Sequence, residues 1–233
     1  MCILFKSIKS IIVVTMFASL ITGCASTQFV SKQEAFPGMY DQKPTSILVI
    51  PAVNDSTAAD ASDYYSVTIA PTLSQYGYYV MPIEVTNQLL RNEGIQDGRQ
   101  LLGVAPQKFK EMFGADAVLF VNITEWDSNY YVVGGNVVVG ISCELRSTST
   151  GETLWASKAR RKINTSGDSN SGGLIGAIIA TAIKTAMQDY MPVARQANNI
   201  ALATLPLGKY HPSYNLDGEW RNVDPEIAKT RIE

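Results

Sequence analysis

The sequence has few of the residues that catalytic and metal sites need. Its 233 residues include one histidine, His211, and three cysteines, Cys2, Cys24 and Cys143. A single histidine excludes a two-histidine zinc site and leaves any serine–histidine–aspartate triad dependent on one residue. A Gly-x-Ser-x-Gly elbow and a Gly-x-x-x-x-Gly-Lys-Ser/Thr phosphate loop are both missing. The sequence gives no positive support for an enzyme, so we predict no catalytic residue, no metal and no cofactor.

The sequence also lacks a large net charge. The chain has 19 lysines and arginines and 21 acidic residues, a formal net charge of −2. Residues 1–23 contain two lysines and no acid, so their removal would leave 17 basic and 21 acidic residues, a charge of −4. A nucleic-acid-binding domain needs a clustered basic surface. We therefore predict no nucleic-acid partner.

The N-terminus resembles a bacterial lipoprotein signal. Lys6 and Lys9 precede an apolar stretch over residues 11–21, which is too short for the roughly 20 residues that cross a bilayer. The stretch ends in Ile-Thr-Gly-Cys, which is similar to the lipobox. We expect cleavage between Gly23 and Cys24, an S-diacylglycerol and an N-palmitoyl group on Cys24, and residues 1–23 as signal peptide. The alternative is a plain secretory signal with an incidental cysteine.

The residues after the cleavage site predict the location. Ala25 and Ser26 follow Cys24, with no aspartate at the second position of the mature chain. By analogy with envelope sorting in enteric bacteria, this indicates a lipid-anchored, periplasm-facing protein of the outer membrane.

Cysteine usage predicts a mature chain without an internal disulfide. Cys2 leaves with the signal and Cys24 carries the lipid, so that only Cys143 remains. Cys143 alternates with polar neighbours in a strand pattern, which favours a small buried side chain over an exposed, reactive thiol.

Composition and periodicity predict one α/β domain with a mixed sheet and helices packed mainly on one face. Residues 24–43 are polar and lack a steady period, so we predict a flexible tether of about 70 Å at full stretch. The domain is expected over residues 44–206, and an extended tail over 207–233, which is rich in Pro, Gly, Asn and Asp.

Within the domain, the apolar run over residues 46–50 predicts a strand buried on both faces. The predicted helices cover residues 60–75, 84–91 (with Leu89 and Leu90 inward), 106–113, 174–190 and 193–205. A short strand is predicted at 78–81, and alternating patterns predict strands at 117–126, 137–145 and 153–162. The last two form an antiparallel β-hairpin, or part of a three-stranded meander.

Three small residues fall four apart in the alanine-rich helix. Gly172, Gly176 and Ala180 would line one helix face and let another backbone approach closely. Ten apolar residues at 174–183 cannot cross a bilayer. We favour close packing of this face on the sheet, with self-association or a partner as the alternative.

Asp55, Asp60 and Asp63 could be a metal-binding carboxylate cluster, but their place before a helix favours capping and solvation.

Tyrosines occur in adjacent pairs at 64–65, 78–79 and 130–131. Neighbours on a strand cannot both face the core, so one tyrosine of each pair should lie near the surface. These tyrosines are either core and rim residues or part of an aromatic interface, with Tyr64, Tyr78 and Tyr130 as candidates.

Several segments together resemble a family of bacterial lipoproteins of the neisserial GNA type, which has no assigned activity. They are Ile-Leu-Val-Ile-Pro-Ala-Val-Asn (47–54), Gly-Tyr-Tyr-Val (77–80), Phe-Gly-Ala-Asp-Ala (113–117), Thr-Gly-Glu-Thr-Leu-Trp (150–155), Asp-Tyr-Met-Pro-Val-Ala-Arg-Gln-Ala-Asn (189–198) and Leu-Pro-Leu-Gly-Lys-Tyr-His-Pro (205–212). The similarity covers about residues 24–214.

The resemblance implies a fold like the N-terminal α/β domain of TolB and offers no catalytic residue. It also implies a neighbouring envelope lipoprotein similar to CsgG. We therefore expect a lipid-anchored, non-catalytic component of a periplasmic or outer-membrane assembly that binds another envelope lipoprotein or itself. A periplasmic enzyme or a small-ligand-binding lipoprotein is the alternative.

Overall fold

The computed structural model describes residues 29–131, 134–164 and 191–224. Its main sheet has six strands, which are β2 (Ser46–Val49), β3 (Val53–Asn54), β4 (Tyr79–Val80), β5 (Ala117–Tyr131), β6 (Gly134–Ser147) and β7 (Thr153–Asn164). Their order in the sheet is β4–β2–β5–β6–β7, with β3 beside β5. β2 runs parallel to β4 and β5, whereas β5, β6 and β7 pair antiparallel. The predicted mixed α/β sheet and its meander are confirmed.

The described helices are α1 (Lys32–Ala35), α2 (Pro37–Gln42), α3 (Ala61–Gln75), α4 (Ile83–Asn92), α5 (Pro106–Phe113) and α6 (Met191–Ala201), with a 3-10 helix at Gly98–Leu101. α5 has the predicted bounds, because Pro106 suits its first turn and Gly114 ends it in the left-handed conformation. α6 ends four residues earlier than predicted. The predicted helix over 174–190 lies outside the described residues.

Apolar side chains project from both faces of the sheet. In β2, Ile47 and Val49 join the larger core cluster, and Leu48 joins a smaller cluster on the other face. The larger cluster packs against α3 and α6, and the smaller one against α4, α5 and the 3-10 helix. The prediction that this strand is buried on both faces is confirmed. In α4, however, Leu90 is buried while Leu89 is 48% exposed, so only one of the two leucines faces inward.

The predicted tether is wrong for residues 30–43, which fold onto the domain; residues 24–28 lie outside the described part. Val30–Ser31 form strand β1, and α1 and α2 follow it. Ala35, Phe36 and Met39 are buried in the larger cluster, and the Phe36 ring lies 6.5 Å from the Trp155 ring. These three apolar residues bury enough surface to hold an otherwise polar segment in place.

The predicted extended tail is wrong up to residue 224. Strand β8 (Arg221–Val223) pairs antiparallel with β1, and Val223 is fully buried. Upstream, the backbone N–H groups of Gly208 and Tyr210 donate to the carbonyls of Tyr76 and Gly77. The described domain therefore runs beyond the predicted 44–206 at both ends.

A buried ion pair joins the two ends of the domain. Lys32 Nζ lies 3.2 Å from Asp217 Oδ2, and both side chains are almost fully buried. The ammonium also donates to the Leu205 carbonyl at 2.9 Å and lies 5.2 Å from the centroid of the Trp220 ring. Burial lowers the pKa of Lys32, and the carboxylate of Asp217 opposes that shift. We call residues 30–42 and 205–223, joined in this way, the terminal clasp.

Candidate functional site

A polar groove lies on a part of the sheet that α5 does not cover. Its volume is about 440 Å³, and it opens between the outward faces of β5, β6 and β7. Its lining consists of Asn122, Thr124, Ile141, Ser142, Lys158, Ala159 and Arg160. The alternation of β5 explains the polarity, because Val121 and Ile123 face the core and Asn122 and Thr124 face the other way.

A charged network borders the groove at the end of β3. Asp55 accepts hydrogen bonds from Arg99 and Asn122, each at 2.8 Å on a separate carboxylate oxygen. These bonds, the one from Arg99 first, lower the pKa of Asp55 and keep it ionised. The remaining oxygen of Asn122, Oδ1, is buried without a hydrogen-bond partner among the described residues.

A β-bulge shapes the other side of the groove. The register of β5 against β6 shifts between Ile123 and Glu125, so that Gly140 opposes Glu125. A Cβ atom on Gly140 would lie 2.5 Å from Thr124 Oγ1, so a side chain here would disturb the bulge. Glu125 accepts two hydrogen bonds from Arg160 Nε, at 2.9 and 3.1 Å. The bulge thus places a paired charge at the rim.

The polar lining of the groove can bind a ligand. Asp55 and Glu125 are occupied by arginines, whereas Lys158 makes no ion pair among the described residues. Its exposed ammonium and the hydroxyls of Thr124 and Ser142 suit a small hydroxylated or anionic ligand.

The three predicted aspartates do not form one site. Asp60 is at the N-cap position of α3 without a side-chain capping bond, Asp63 lies in the first turn, and Asp55 belongs to the groove network. The described residues contain no group of histidine, cysteine and carboxylate side chains that could hold a metal ion. The sequence did not identify Arg99 or Asn122 as site residues. Only the alternation of β5, which points the Asn122 side chain away from the core, could have indicated Asn122.

The lone histidine and the remaining thiol each have a hydrogen-bond partner within the protein. His211 Nδ1 accepts a hydrogen bond from the Ser213 backbone N–H at 3.0 Å. Cys143 is 2% exposed, and its Sγ lies 3.6 Å from the Tyr65 hydroxyl. Burial raises the pKa of Cys143 to about 12, so the thiol stays protonated and unreactive at neutral pH. The predicted burial of Cys143 is confirmed.

The tyrosine pairs divide as predicted where the structure describes them. Tyr65 is buried and Tyr64 is half-buried. Tyr78 is buried and donates its hydroxyl to the Pro206 carbonyl at 2.7 Å, while Tyr79 is 52% exposed. The prediction of Tyr78 as a candidate for an aromatic interface is therefore wrong. The side chain of Tyr130 lies outside the described residues.

The other predicted sites lie outside the described residues. Gly23 and Cys24 precede residue 29, and the helix face of Gly172, Gly176 and Ala180 lies between residues 164 and 191. Cleavage, acylation and close helix packing at these positions remain predictions. Of the helices that the structure describes, none is long and apolar enough to cross a membrane.

A set of exposed apolar side chains lies on the helical layer over the smaller core cluster. Val85 and Leu89 are one turn apart on the outer side of α4 and are 58% and 48% exposed. Leu102, after the 3-10 helix, and Met112, on α5, are 52% and 54% exposed. We call these four residues the outer helical surface. The inner side of the layer is packed by Leu90, Leu101 and Phe109, so the outer residues add nothing to the core.

Comparison with known proteins gives the family. Residues 36–216 match the family described as "Putative lipoprotein GNA1162-like". A Neisseria meningitidis protein called "Putative lipoprotein NMB1124/NMB1162" is 29% identical over 143 residues, which are 61% of this chain and 66% of that protein, just under two thirds.

Two solved structures align with the chain. The crystal structure of lipoprotein GNA1162 from Neisseria meningitidis aligns with a TM-score of 0.50 and 27% identity over 63% of this chain and 99% of that one. The PelC dodecamer from Paraburkholderia phytofirmans aligns with a TM-score of 0.44 and 19% identity, over 72% and 90% of the two chains. Because the family match covers most of the sequence, the chain belongs to the GNA1162-like lipoprotein family.

Proposed function

We propose that the protein is a lipid-anchored, non-catalytic component of an envelope assembly. Acyl chains on Cys24 would hold it at the periplasmic side of the outer membrane. Family membership and the lipobox-like segment support the anchor. Several acyl chains give stable anchoring, since each buried CH₂ contributes about 0.8 kcal/mol and a single chain is marginal.

The outer helical surface is the observation that supports binding to a partner protein. Large apolar side chains that are half-exposed on a helix whose inner side is already packed suit a contact with another protein. Anchoring confines the domain and a co-anchored partner to one surface, which raises their effective concentration without further contacts. We propose a second envelope lipoprotein as the partner, such as one similar to CsgG, with self-association as the alternative.

Cross-linking in intact envelopes tests this surface. We expect Val85→Ser with Leu89→Ser to abolish a cross-linked complex while the urea midpoint of the purified domain stays unchanged. Gln88→Ser is the matched control, because Gln88 is exposed and polar on the same helix. Loss of the complex in the control, or its persistence in the double variant, would contradict the role of this surface. Mass spectrometry of the purified protein tests the anchor, and an unmodified Cys24 would refute it.

The polar groove favours a second function, binding of a small ligand. The exposed Lys158 and the hydroxyls of Thr124 and Ser142 in the groove lining are the observations that support it. We expect a ligand with hydroxyl and carboxylate groups to raise the melting temperature, and Lys158→Met to abolish the increase. If anionic sugars in the millimolar range cause no shift, this alternative loses its support.

A further inference from the structure

We infer that Phe29 and Trp220, at the two ends of the ribbon that β1 and β8 form in the terminal clasp, rest on the surface of the membrane that holds the lipid anchor. The inference depends on the proposed acylation of Cys24. It adds an orientation for the domain and a second, non-covalent contact with the bilayer.

The length of chain before the fold sets the distance to the membrane. Five residue steps separate Cys24 from Phe29, so the two Cα atoms lie at most about 18 Å apart, whatever the conformation between them. A domain of about 190 residues is roughly 40 Å across. A link shorter than the domain diameter keeps the side that carries Phe29 close to the bilayer.

Backbone hydrogen bonds fix Trp220 beside the segment that follows Phe29. Val30 pairs with Val223, and the Lys32 N–H donates to the Trp220 carbonyl at 3.0 Å. Phe29 directly precedes β1 and Trp220 directly precedes β8, so the antiparallel pairing puts them at opposite ends of one short two-stranded ribbon, roughly 10 Å apart along the strands. Each is 49% exposed. The ribbon that follows the lipid-linked segment thus carries an exposed aromatic residue at each end.

The chemistry of this ribbon favours the bilayer interface. Aromatic rings, tryptophan above all, partition to the headgroup level, where an apolar ring can contact acyl chains. Trp220 lies between Glu219 and Arg221, which are exposed and opposite in charge. The contact should therefore need no anionic lipid and should persist at high salt, unlike attraction by a basic cluster.

Tryptophan emission gives a direct readout, because the chain has three tryptophans and the other two are buried. Trp126 and Trp155 are 2% and 0% exposed. We would reconstitute the acylated full chain in phosphatidylcholine vesicles with bromine on the upper acyl carbons, which quenches tryptophan only at short range. We expect up to about a third of the emission to be lost relative to unbrominated vesicles, equally in low and high salt.

Two variants make the result specific. Trp220→Phe should remove the quenching and leave the emission of the buried tryptophans. Adding Leu89→Trp to that variant places a reporter of similar exposure, 48%, on the helical layer over the other face of the sheet, and it should stay unquenched.

The outcomes separate the inference from the proposed function. If Cys24 is acylated and the protein is on the vesicles, but Trp220 is not quenched or the Leu89→Trp reporter is quenched instead, the orientation is wrong and the lipid anchor stands. If mass spectrometry finds no acyl chain on Cys24, both are overturned.

Discussion

Loss of the buried charge at Asp217 should open the terminal clasp. We predict that Asp217→Asn strongly destabilises the domain, because it leaves the Lys32 ammonium buried beside a neutral amide. The change is nearly isosteric, and the new side chain can still accept the hydrogen bond that Leu207 N–H donates to Asp217 at 2.9 Å. The loss of charge is therefore the main perturbation.

The magnitude follows from the geometry. Two unit charges at the observed 3.2 Å attract by about 5 kcal/mol at an effective dielectric constant of 20. Breaking a buried pair by removing one partner costs about 3–5 kcal/mol in measured cases. For a domain of this size, that corresponds to a fall of roughly 6–20 °C in melting temperature.

Urea denaturation of the lipid-free mature chain, followed by tryptophan fluorescence, measures the loss. Glu125→Gln is the matched control: it breaks the exposed pair with Arg160, which should contribute at most about 1 kcal/mol. Replacing both buried partners, Lys32→Met with Asp217→Leu, should recover much of the stability. If Asp217→Asn costs no more than Glu125→Gln, the pair does not hold the clasp together and the reasoning is refuted.

The pH dependence of Asp217→Asn supplies a second check. Burial lowers the pKa of Lys32 in the folded state, and without the carboxylate nothing opposes that shift. Between the lowered pKa and the normal value near 10.5, the unfolded chain binds more protons, so the free energy of unfolding rises with pH. The deficit of the variant should shrink as the pH approaches 10.

Three further predictions concern single residues. Burial raises the pKa of Cys143 from 9.0 to about 12, so this thiol should make the free energy of unfolding fall by about 1.4 kcal/mol per pH unit above pH 9. Cys143→Ala should remove that slope up to pH 10, as measured by urea titrations. Gly77 has φ +87° and its Cβ would meet the His211 backbone, so Gly77→Ala should cost roughly 2–5 kcal/mol by calorimetry. Gly94→Ala, with φ +83° and open space around it, should cost only the backbone part, and equal losses would contradict the contact. Gly176→Leu should cost about 1–3 kcal/mol if its face packs inside the domain; an unchanged melting temperature with lost self-association would favour the interface.

Local signals predicted the central part of the fold well. α5 lies between Pro106 and Gly114, residues that start and stop helices through their own backbone geometry. The alternation in β6 places Ile141 and Cys143 on the core face, as the period of two requires. These features depend on neighbours within a few residues, so the sequence contains the information directly.

The clasp could not be predicted in this way, because its partners are distant in sequence. Lys32 and Asp217 are 185 positions apart, and a charged residue on its own indicates an exposed surface. Phe36 and Met39 are too few and too widely spaced to give a period. The groove was missed for the same reason: Asp55 meets Asn122 through the parallel pairing of β3 with β5, and it meets Arg99 from the 3-10 helix, 44 positions away in the sequence.

The clasp also sets the order in which the domain can close. Joining positions 185 residues apart costs about 4–5 kcal/mol of chain entropy, and it requires that the last strand has already been made and exported. Until then, residues 30–34 lack β8 and Asp217, and the proposed lipid would be linked to the folded body through the chain up to Ala35, a reach of about 40 Å. Pairing of β8 with β1 would shorten that reach to about 18 Å, so the domain would be held close to the membrane only after β8 has been added.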